Sequence, residues 1–262
     1  MVSGKFIDRV VARLSRALGI GRYRAGLSRL AAAVLLASCT AALPARAQGC
    51  RVPEVYLKLS SNLPRTEKLV DRGNEPLRIL VIGPKIGGPS LSERKRGRLI
   101  QALERRLPGV PIDLVDEGRG AVPAARGFEA MRDEVARVSP HLVLWQVGTL
   151  DALAGADPEV FGRIIENAAE WLRDRSIDLI LIDPPFVPNV GHEPLYWRIV
   201  GKIGEVSDRS RINLLRRYAA TQHLDNERRK SPVPVSDAGG QPVHQACMPD
   251  IVADAIYKAV TR

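Results

Sequence analysis

Short apolar runs separated by helical stretches constrain the fold of this chain more than any other feature of its sequence. Beyond residue 76, strand-like runs recur at 77–82, 112–115, 142–147 and 179–182, with a weaker one at 212–215. Such runs are typical of strands that are buried on both faces of a parallel sheet. The helical stretches lie at 91–107, 122–138, 158–175, 194–208, 216–228 and 249–261. We therefore predict a three-layer α/β/α fold with a five-stranded parallel sheet in the flavodoxin-like order 2-1-3-4-5.

Local signals locate some helix starts and the loops that matter for function. Ser90-Leu91-Ser92-Glu93 has the form of a capping box, which predicts a helix start near Ser90. Pro158 suits a first helical position. In sheets of this class, ligands bind at the carboxyl ends of the strands. The loops expected to form a site are therefore 83–90, 116–121, 148–157, 183–193 and 229–246.

The N-terminal segment has the pattern of an export signal. A basic lead is followed by an apolar run over 30–43 and by Ala45-Arg46-Ala47, a small-x-small pattern of the kind that signal peptidase cleaves. A run of about 14 residues is shorter than the roughly 20 that a membrane span needs. We expect residues 1–47 to be removed and the protein to be periplasmic or secreted. Two alternatives stay open: a lipoprotein with its lipid on Cys39, after the lipobox-like Leu36-Ala37-Ser38, and an uncleaved anchor or no export.

The charge distribution argues against a nucleic-acid partner. The formal net charge is +10, but residues 1–47 hold eight Lys/Arg and one Asp, and so account for seven of those charges. A large basic surface is what non-specific nucleic-acid binding requires, and most of it would leave with the signal. We expect contact with a membrane only through the signal or a lipid on Cys39. After the predicted signal, the chain divides into an irregular lead-in over 48–76 and one α/β domain over 77–262.

Cysteine and histidine usage suggests no metal centre and no cofactor. Cys50 and Cys247 would remain after cleavage, and they either pair in an oxidising compartment or stay as two separate thiols. The histidines are scattered along the chain. The glycine-containing segment 83–88 lacks the spacing of a P-loop and of a dinucleotide-binding motif.

The segment 141–153 resembles the third conserved block of the SGNH/GDSL hydrolases. In that family a strand ends in Gly-Thr-Asn-Asp, and here the strand ends in Gly148-Thr149-Leu150-Asp151. The first block, a strand followed by Gly-x-Ser, corresponds to Gly83-Pro84-Lys85, and the second-block glycine corresponds to Gly118 or Gly120. The final Asp-x-x-His motif would lie between Asp237 and His244. The resemblance extends over about 77–260 and implies acyl-ester hydrolysis, in which a serine attacks a carbonyl and a histidine takes its proton.

Several family residues are replaced in this chain. Lys85 stands where the family has its serine, and Leu150 stands where the family has an asparagine that donates to the oxyanion. If Asp237 is the retained acid, Gly240 occupies the histidine position; if His244 is the retained histidine, Gln241 occupies the acid position. Neither alignment completes a triad. The oxyanion and substrate pocket implied by the resemblance comprises Gly83, Lys85, Gly118, Gly120, Gly148, Thr149, Leu150 and Asp151.

Other residues are candidates for the missing roles. Ser90 is the obvious hydroxyl near the first block, and with His244 and Asp237 it forms our candidate catalytic set. Each has a structural alternative: Ser90 as a helix N-cap, and His244 as an exposed loop residue. Lys85 is either a base, an anion-binding cation or an exposed lysine. Asp151 is expected to make local hydrogen bonds or to cap the next helix, and not to take part in catalysis.

Two hypotheses from different classes follow. The first is an exported SGNH-type hydrolase with departed catalytic residues, acting on a small acyl ester of an envelope glycan or lipid. The second is a catalytically inactive relative that binds a glycan, a lipid or a partner protein in the same cleft. An unrelated α/β function is a third possibility.

Overall fold

The computed structural model describes residues 50–73, 75–84, 86, 97–116, 120–190, 193–230 and 243–261, without the side chains of 243–245. All of them belong to one structural unit, Arg46–Arg262. The helices and strands below are numbered along this part of the chain.

Five parallel strands form the centre of the fold. They are β1 (Leu77–Ile82), β2 (Ile112–Asp116), β3 (Leu142–Gln146), β4 (Asp178–Ile182) and β5 (Asn213–Leu215). Their order is β2-β1-β3-β4-β5, and every neighbouring pair is parallel. The fold class and the strand order predicted from the sequence are both confirmed.

Helices cover the two faces of this sheet. They are α1 (Pro64–Arg72), α2 (Arg98–Arg106), α3 (Ala124–Val138), α4 (Thr149–Leu153), α5 (Pro158–Arg173), α6 (Pro194–Ser210), α7 (Arg217–Lys230) and α8 (Val243–Val260). Buried side chains of α1, α2 and α8 pack on one face, and those of α3, α5 and α6 pack on the other. Within the described residues, no helix combines the length and the apolar character that a membrane crossing requires.

The strands are mostly apolar because each contributes to two cores, and the exposed Asp113 lies on the edge strand β2. In β1, Ile79 and Val81 belong to the cluster beneath α2 and α8, whereas Leu80 and Ile82 belong to the cluster beneath α3 and α5. Side chains alternate between faces along a strand, so a strand that is covered on both sides has no polar face. Trp145 is fully buried in the second cluster, as its position in an apolar strand predicts.

The lead-in over 48–76 is not wholly irregular, which corrects the prediction. It contains α1, whose preceding residue, Leu63, has no side-chain group to cap the helix. A distant residue supplies the cap instead: a carboxylate oxygen of Asp178 accepts the backbone N–H and the hydroxyl of Thr66, both at 2.8 Å. The lead-in therefore depends on the sheet for part of its order.

Two helix starts also differ from the prediction. The helix predicted over 91–107 begins at Arg98, since Gly97 has an extended backbone (ψ 149°) and glycine has low helix propensity. The predicted capping box at Ser90 lies outside the described residues. The last helix begins at Val243 and contains Pro249, which the sequence analysis had placed at its start.

Cys50 and Cys247 form a disulfide, with their Cα atoms 5.2 Å apart. The bond joins the beginning of the described chain to α8 across 197 positions of sequence. Of the two arrangements that the sequence left open, the structure has the paired one.

Candidate functional site

A pocket lies where the carboxyl ends of all five strands meet. It is small: its enclosed space accommodates about one water molecule, and the empty volume of about 260 Å³ includes open solvent at its mouth. The described lining comprises Pro84 after β1, Ala121 and Val122 after β2, Gln146–Thr149 at the end of β3, Ile182 and Asp183 at the end of β4, and Arg217 after β5. The predicted convergence of the strand ends around a common hollow is therefore present.

Two glycines allow the loops around this pocket to come close together. Gly83 has a φ of +114°, and a Cβ atom there would stand 2.9 Å from the backbone oxygen of Gln146. Gly148 has a φ of +98°, and its Cβ would stand 2.9 Å from the Cδ1 atom of Ile203. Side chains other than glycine rarely adopt such backbone angles, and the neighbouring atoms leave no room for one. These positions accordingly fix the paths of the chain after β1 and after β3.

Gln146 connects three strand ends by hydrogen bonds. Its Nε2 group donates to the carbonyl oxygen of Pro84, in the loop after β1. Its Oε1 atom accepts from Nη1 of Arg217 at 3.1 Å. Gln146 therefore links Pro84, in the loop after β1, to the N-terminus of α7.

Asp183 is a buried carboxyl group in the pocket wall. Its side chain accepts the backbone N–H of Tyr218 at 2.9 Å, so it caps α7 from the end of β4. Burial raises the pKa of Asp183 to about 7, although the hydrogen bond from Tyr218 and the charge of Arg217 both favour the ionised form. A carboxyl group with such a pKa can exchange a proton near neutral pH, which is what general acid–base chemistry needs.

Arg217 is buried beside Asp183. Burial lowers the pKa of its guanidinium to about 10, while the charge of Asp183 acts in the opposite direction. The group therefore stays protonated at neutral pH and supplies the pocket with a fixed positive charge.

Aromatic residues pack on the far side of Asp183. The Tyr196 hydroxyl donates to the carbonyl oxygen of Pro185 at 2.6 Å, and the ring is buried. The Trp197 ring centroid lies 5.5 Å from that of Tyr218, and the Trp197 side chain is 49% exposed. The Tyr196 ring therefore packs in the core, and Trp197 is the more exposed of these two neighbouring aromatic residues.

The structure brings some of the predicted site residues together and separates others. Gly148 and Thr149 line the pocket, while Leu150 is half-buried in α4 and Gly120 is exposed. Asp151 is buried and accepts the backbone N–H of Ala124 at 2.9 Å. It thus caps α3, which precedes it and has Pro123 at its start with no side-chain cap, and it also accepts from the nearby backbone of Gly148, as the expected local hydrogen bonding requires.

The remaining predicted residues cannot be placed. Lys85, Ser90, Gly118 and Asp237 lie outside the described residues. His244 falls in the first turn of α8, and only its backbone is described.

Sequence reasoning missed Gln146, Asp183 and Arg217 as site residues. Each is a polar residue at the end of a buried apolar strand or immediately after one, where a parallel sheet gathers its functional groups. That signal was available in the sequence. Among the described residues, no cluster of three or more His, Cys, Asp or Glu side chains could hold a metal ion.

Comparison with known proteins gives one family match and several structural neighbours. The model of a family described as non-GDSL lipase-like matches residues 49–262. No curated protein matches the chain in sequence. The crystal structure of TesA is similar with a TM-score of 0.51 and 20% identity, over 70% of this chain and 98% of that one. A mutant of Axe2, described as an acetyl-xylooligosaccharide esterase from Geobacillus, gives a TM-score of 0.53 and 16% identity, over 71% of this chain and 94% of that one. These two likenesses concern the fold.

Proposed function

The chain belongs to the non-GDSL lipase-like family, and we propose that it is an exported ester hydrolase that acts on a small acyl ester of an envelope glycan or lipid. The family match also confirms the predicted relationship to the SGNH/GDSL hydrolases. The ester chemistry is proposed from that relationship. The substrate class and the export are also parts that we propose.

The observation that carries the proposal is the pocket at the carboxyl edge of the sheet. Gly148 and Thr149, from the family's third block, line it together with Pro84, the neighbour of the first-block serine position. An ester hydrolase must gather a nucleophile, a base and oxyanion donors around one carbonyl group. Residues at or next to the first-block and third-block positions here line a single hollow, which supports retention of a ligand site at that place.

The proposed chemistry uses residues other than the family's serine. The hydroxyl of Ser90 would attack the ester carbonyl, His244 would accept its proton, and Asp237 would orient the histidine. The proton then passes from His244 to the departing alcohol, and water releases the acyl group from Ser90 in a second step of the same kind. Asp183 lies in the pocket wall with a pKa of about 7, and is a second group able to move a proton there.

Export is supported by the N-terminal pattern and by the disulfide. Disulfides persist in oxidising compartments and are rare in reducing ones, so the Cys50–Cys247 disulfide favours an exported protein. We propose a periplasmic or secreted protein cleaved near Ala47, with a lipid on Cys39 as the alternative. A glycan acetyl ester is a reasonable first substrate, since the structurally similar Axe2 is described as an esterase of acetylated xylo-oligosaccharides.

The second candidate function is ligand binding without turnover. Lys85 and Leu150 occupy the positions of the family's serine and oxyanion-hole asparagine, and neither side chain can perform the replaced role. Loss of one oxyanion donor alone costs roughly 100- to 1,000-fold in rate. The replacements therefore favour a cleft that binds an envelope glycan, a lipid or a partner protein.

Ester hydrolysis by the full chain separates the two candidates. We expect turnover of para-nitrophenyl acetate and of an O-acetylated glycan, with a loss of at least about 100-fold in Ser90→Ala and in His244→Ala. Ser92→Ala and His223→Ala are matched controls, close to Ser90 in sequence or on a neighbouring helix, and should retain activity. Turnover that survives both test variants would exclude our catalytic set. The absence of turnover across the pH range would favour the binding function.

A further inference from the structure

Arg217 is the group in this pocket whose chemistry the proposed function leaves unused. It is the first residue of α7 and is only 9% exposed, yet it lines the pocket. Its described side-chain hydrogen bond goes from Nη1 to the neutral amide oxygen of Gln146. Its buried Nε atom has no hydrogen-bond partner among the described residues.

A buried guanidinium with an unpaired donor lowers the stability of the fold unless an acceptor binds it. A guanidinium carries five N–H donors, and a buried donor that lacks an acceptor destabilises the folded state. A buried charge is costlier still unless an opposite charge compensates it. The Arg217 side chain therefore has unused donor capacity and a positive charge at the wall of an open pocket.

The one buried carboxyl group described in the same wall compensates this charge only in part. Asp183 accepts the backbone N–H of Tyr218, which already engages one carboxylate oxygen with the start of α7. Its charge and that of Arg217 interact, but burial disfavours the ionised form of Asp183. The other charged group near Asp183 is Arg216, which is exposed and adds positive charge.

The position of Arg217 is fixed by its neighbours. Gln146 accepts from Arg217 and donates to Pro84, so the contact with Pro84 positions Gln146, and Gln146 positions the guanidinium. A guanidinium in a fixed orientation loses little conformational entropy when it binds a planar anion, and its fork matches the two oxygens of a carboxylate.

We propose that Arg217 makes this pocket a subsite for a small carboxylate, the group that ester cleavage releases. The inference rests on the proposed function, because that function names the acid as a product. It also holds for a protein that binds an acidic ligand without turnover. The guanidinium accepts the carboxylate, and Gln146 keeps the guanidinium in place.

Binding of acetate to the full chain tests the subsite. We expect saturable binding by isothermal titration calorimetry at constant ionic strength, weakened roughly tenfold or more in Arg217→Gln. Arg216→Gln is the matched control, since it removes the same charge from the adjacent exposed residue and should leave the acetate affinity within about twofold of wild type. Arg217→Lys keeps the charge but loses the forked guanidinium, so its acetate affinity should fall between those of wild type and Arg217→Gln. Asp183→Asn removes the competing carboxylate and should tighten acetate binding at about pH 8.

The outcomes separate this inference from the proposed function. Wild-type protein that does not bind acetate would overturn the subsite, whatever the esterase assay gives. Equal acetate affinity in wild type, Arg217→Gln and Arg217→Lys would do the same. Acetate binding that depends on Arg217 in a protein without esterase activity would overturn the hydrolase and leave the subsite. If Arg217→Gln does not fold, as judged by its thermal transition, Arg217→Lys decides the question.

Discussion

A carboxylate oxygen of Asp151 accepts the backbone N–H of Ala124 at 2.9 Å across 27 positions of sequence. Asp178 bonds to Thr66 at the start of α1, and Asp183 bonds to Tyr218 at the start of α7, in the same way. In each case an aspartate at a strand end, or soon after it, caps a helix that is distant in sequence. The carboxylate satisfies N–H groups that have no partner within the helix and lies at the positive end of the helix dipole. The Asp178 and Asp183 contacts attach helices to β4, and the Asp151 contact attaches α3 to α4, independently of the apolar cores.

The remote cap at Asp151 is expected to contribute more to stability than a local cap. Asp151→Ala leaves a buried N–H group at Ala124 without its acceptor, and we expect the free energy of unfolding to fall by about 1–3 kcal/mol. The matched control is Asp157→Ala, which removes an exposed local cap of α5. Urea unfolding measures both. A loss at Asp151 equal to or smaller than that at Asp157 would contradict the argument.

The buried carboxyl group of Asp183 should make stability depend on pH. Its pKa is about 7 in the folded protein against an ordinary value of 3.8, so the folded state retains a proton that the unfolded state releases between these values. The stability that this proton provides is complete below the ordinary value and is lost as the pH rises through about 7.

Asp183→Asn removes this dependence. The amide oxygen can still accept from Tyr218, and no carboxylate charge has to be buried, while the buried charge of Arg217 is present in both proteins at every pH compared. We therefore expect the variant to gain stability relative to wild type between about pH 5 and about pH 8, by an amount on the order of a few kcal/mol. Asp157→Asn, at an exposed carboxyl group whose pKa is lowered by its hydrogen bonds to the α5 backbone, should show no such change over this range. The prediction would be refuted if the difference in unfolding free energy between Asp183→Asn and wild type were the same at about pH 5 and at about pH 8.

The sequence predicted the sheet well and the site only in part, and the reason is physical. The positions of the strands follow from apolar runs such as 77–82 and 142–147, because burial on both faces leaves a local mark on composition, and the strand order was predicted from the flavodoxin-like class. The cap on Thr66 depends on Asp178, far along the chain, so the local signal at the start of α1 was limited to Pro64 at its first position. Asp183 and Arg217 were visible as charged residues after apolar runs, but their proximity follows from the parallel register of β4 and β5. Sequence spacing could not supply that register.

The disulfide should contribute strongly to stability because it closes a long loop. Cys50 and Cys247 are 197 positions apart, and loop closure of this length is worth about 2–5 kcal/mol in the unfolded state. Cys50→Ser should lower the free energy of unfolding by that amount, and little packing is lost because Cys50 is half-buried. A thiol reductant should lower the unfolding free energy of the wild type to that of Cys50→Ser and leave that of Cys50→Ser unchanged. A reductant effect of similar size on Cys50→Ser would mean that the bond is not the cause.

Gly148 should be intolerant of a side chain, which connects stability to the pocket. Gly148→Ala would force alanine into a φ of +98° with its Cβ 2.9 Å from Ile203, 3.1 Å from Ile199 and 3.3 Å from Pro184. We expect a loss of about 1–3 kcal/mol in the free energy of unfolding, because strain and the close contacts act together. Gly201→Ala is the matched control on α6, where a Cβ would meet nothing within 4 Å. That change should stabilise the protein by about 0.5–1 kcal/mol, since alanine is the better helix former.

The two variants add the same methyl group, so opposite signs in thermal unfolding would assign the effect to the backbone angle and the contacts at Gly148. A loss in both variants would show that added volume alone is responsible, and the account of the loop after β3 would then be wrong.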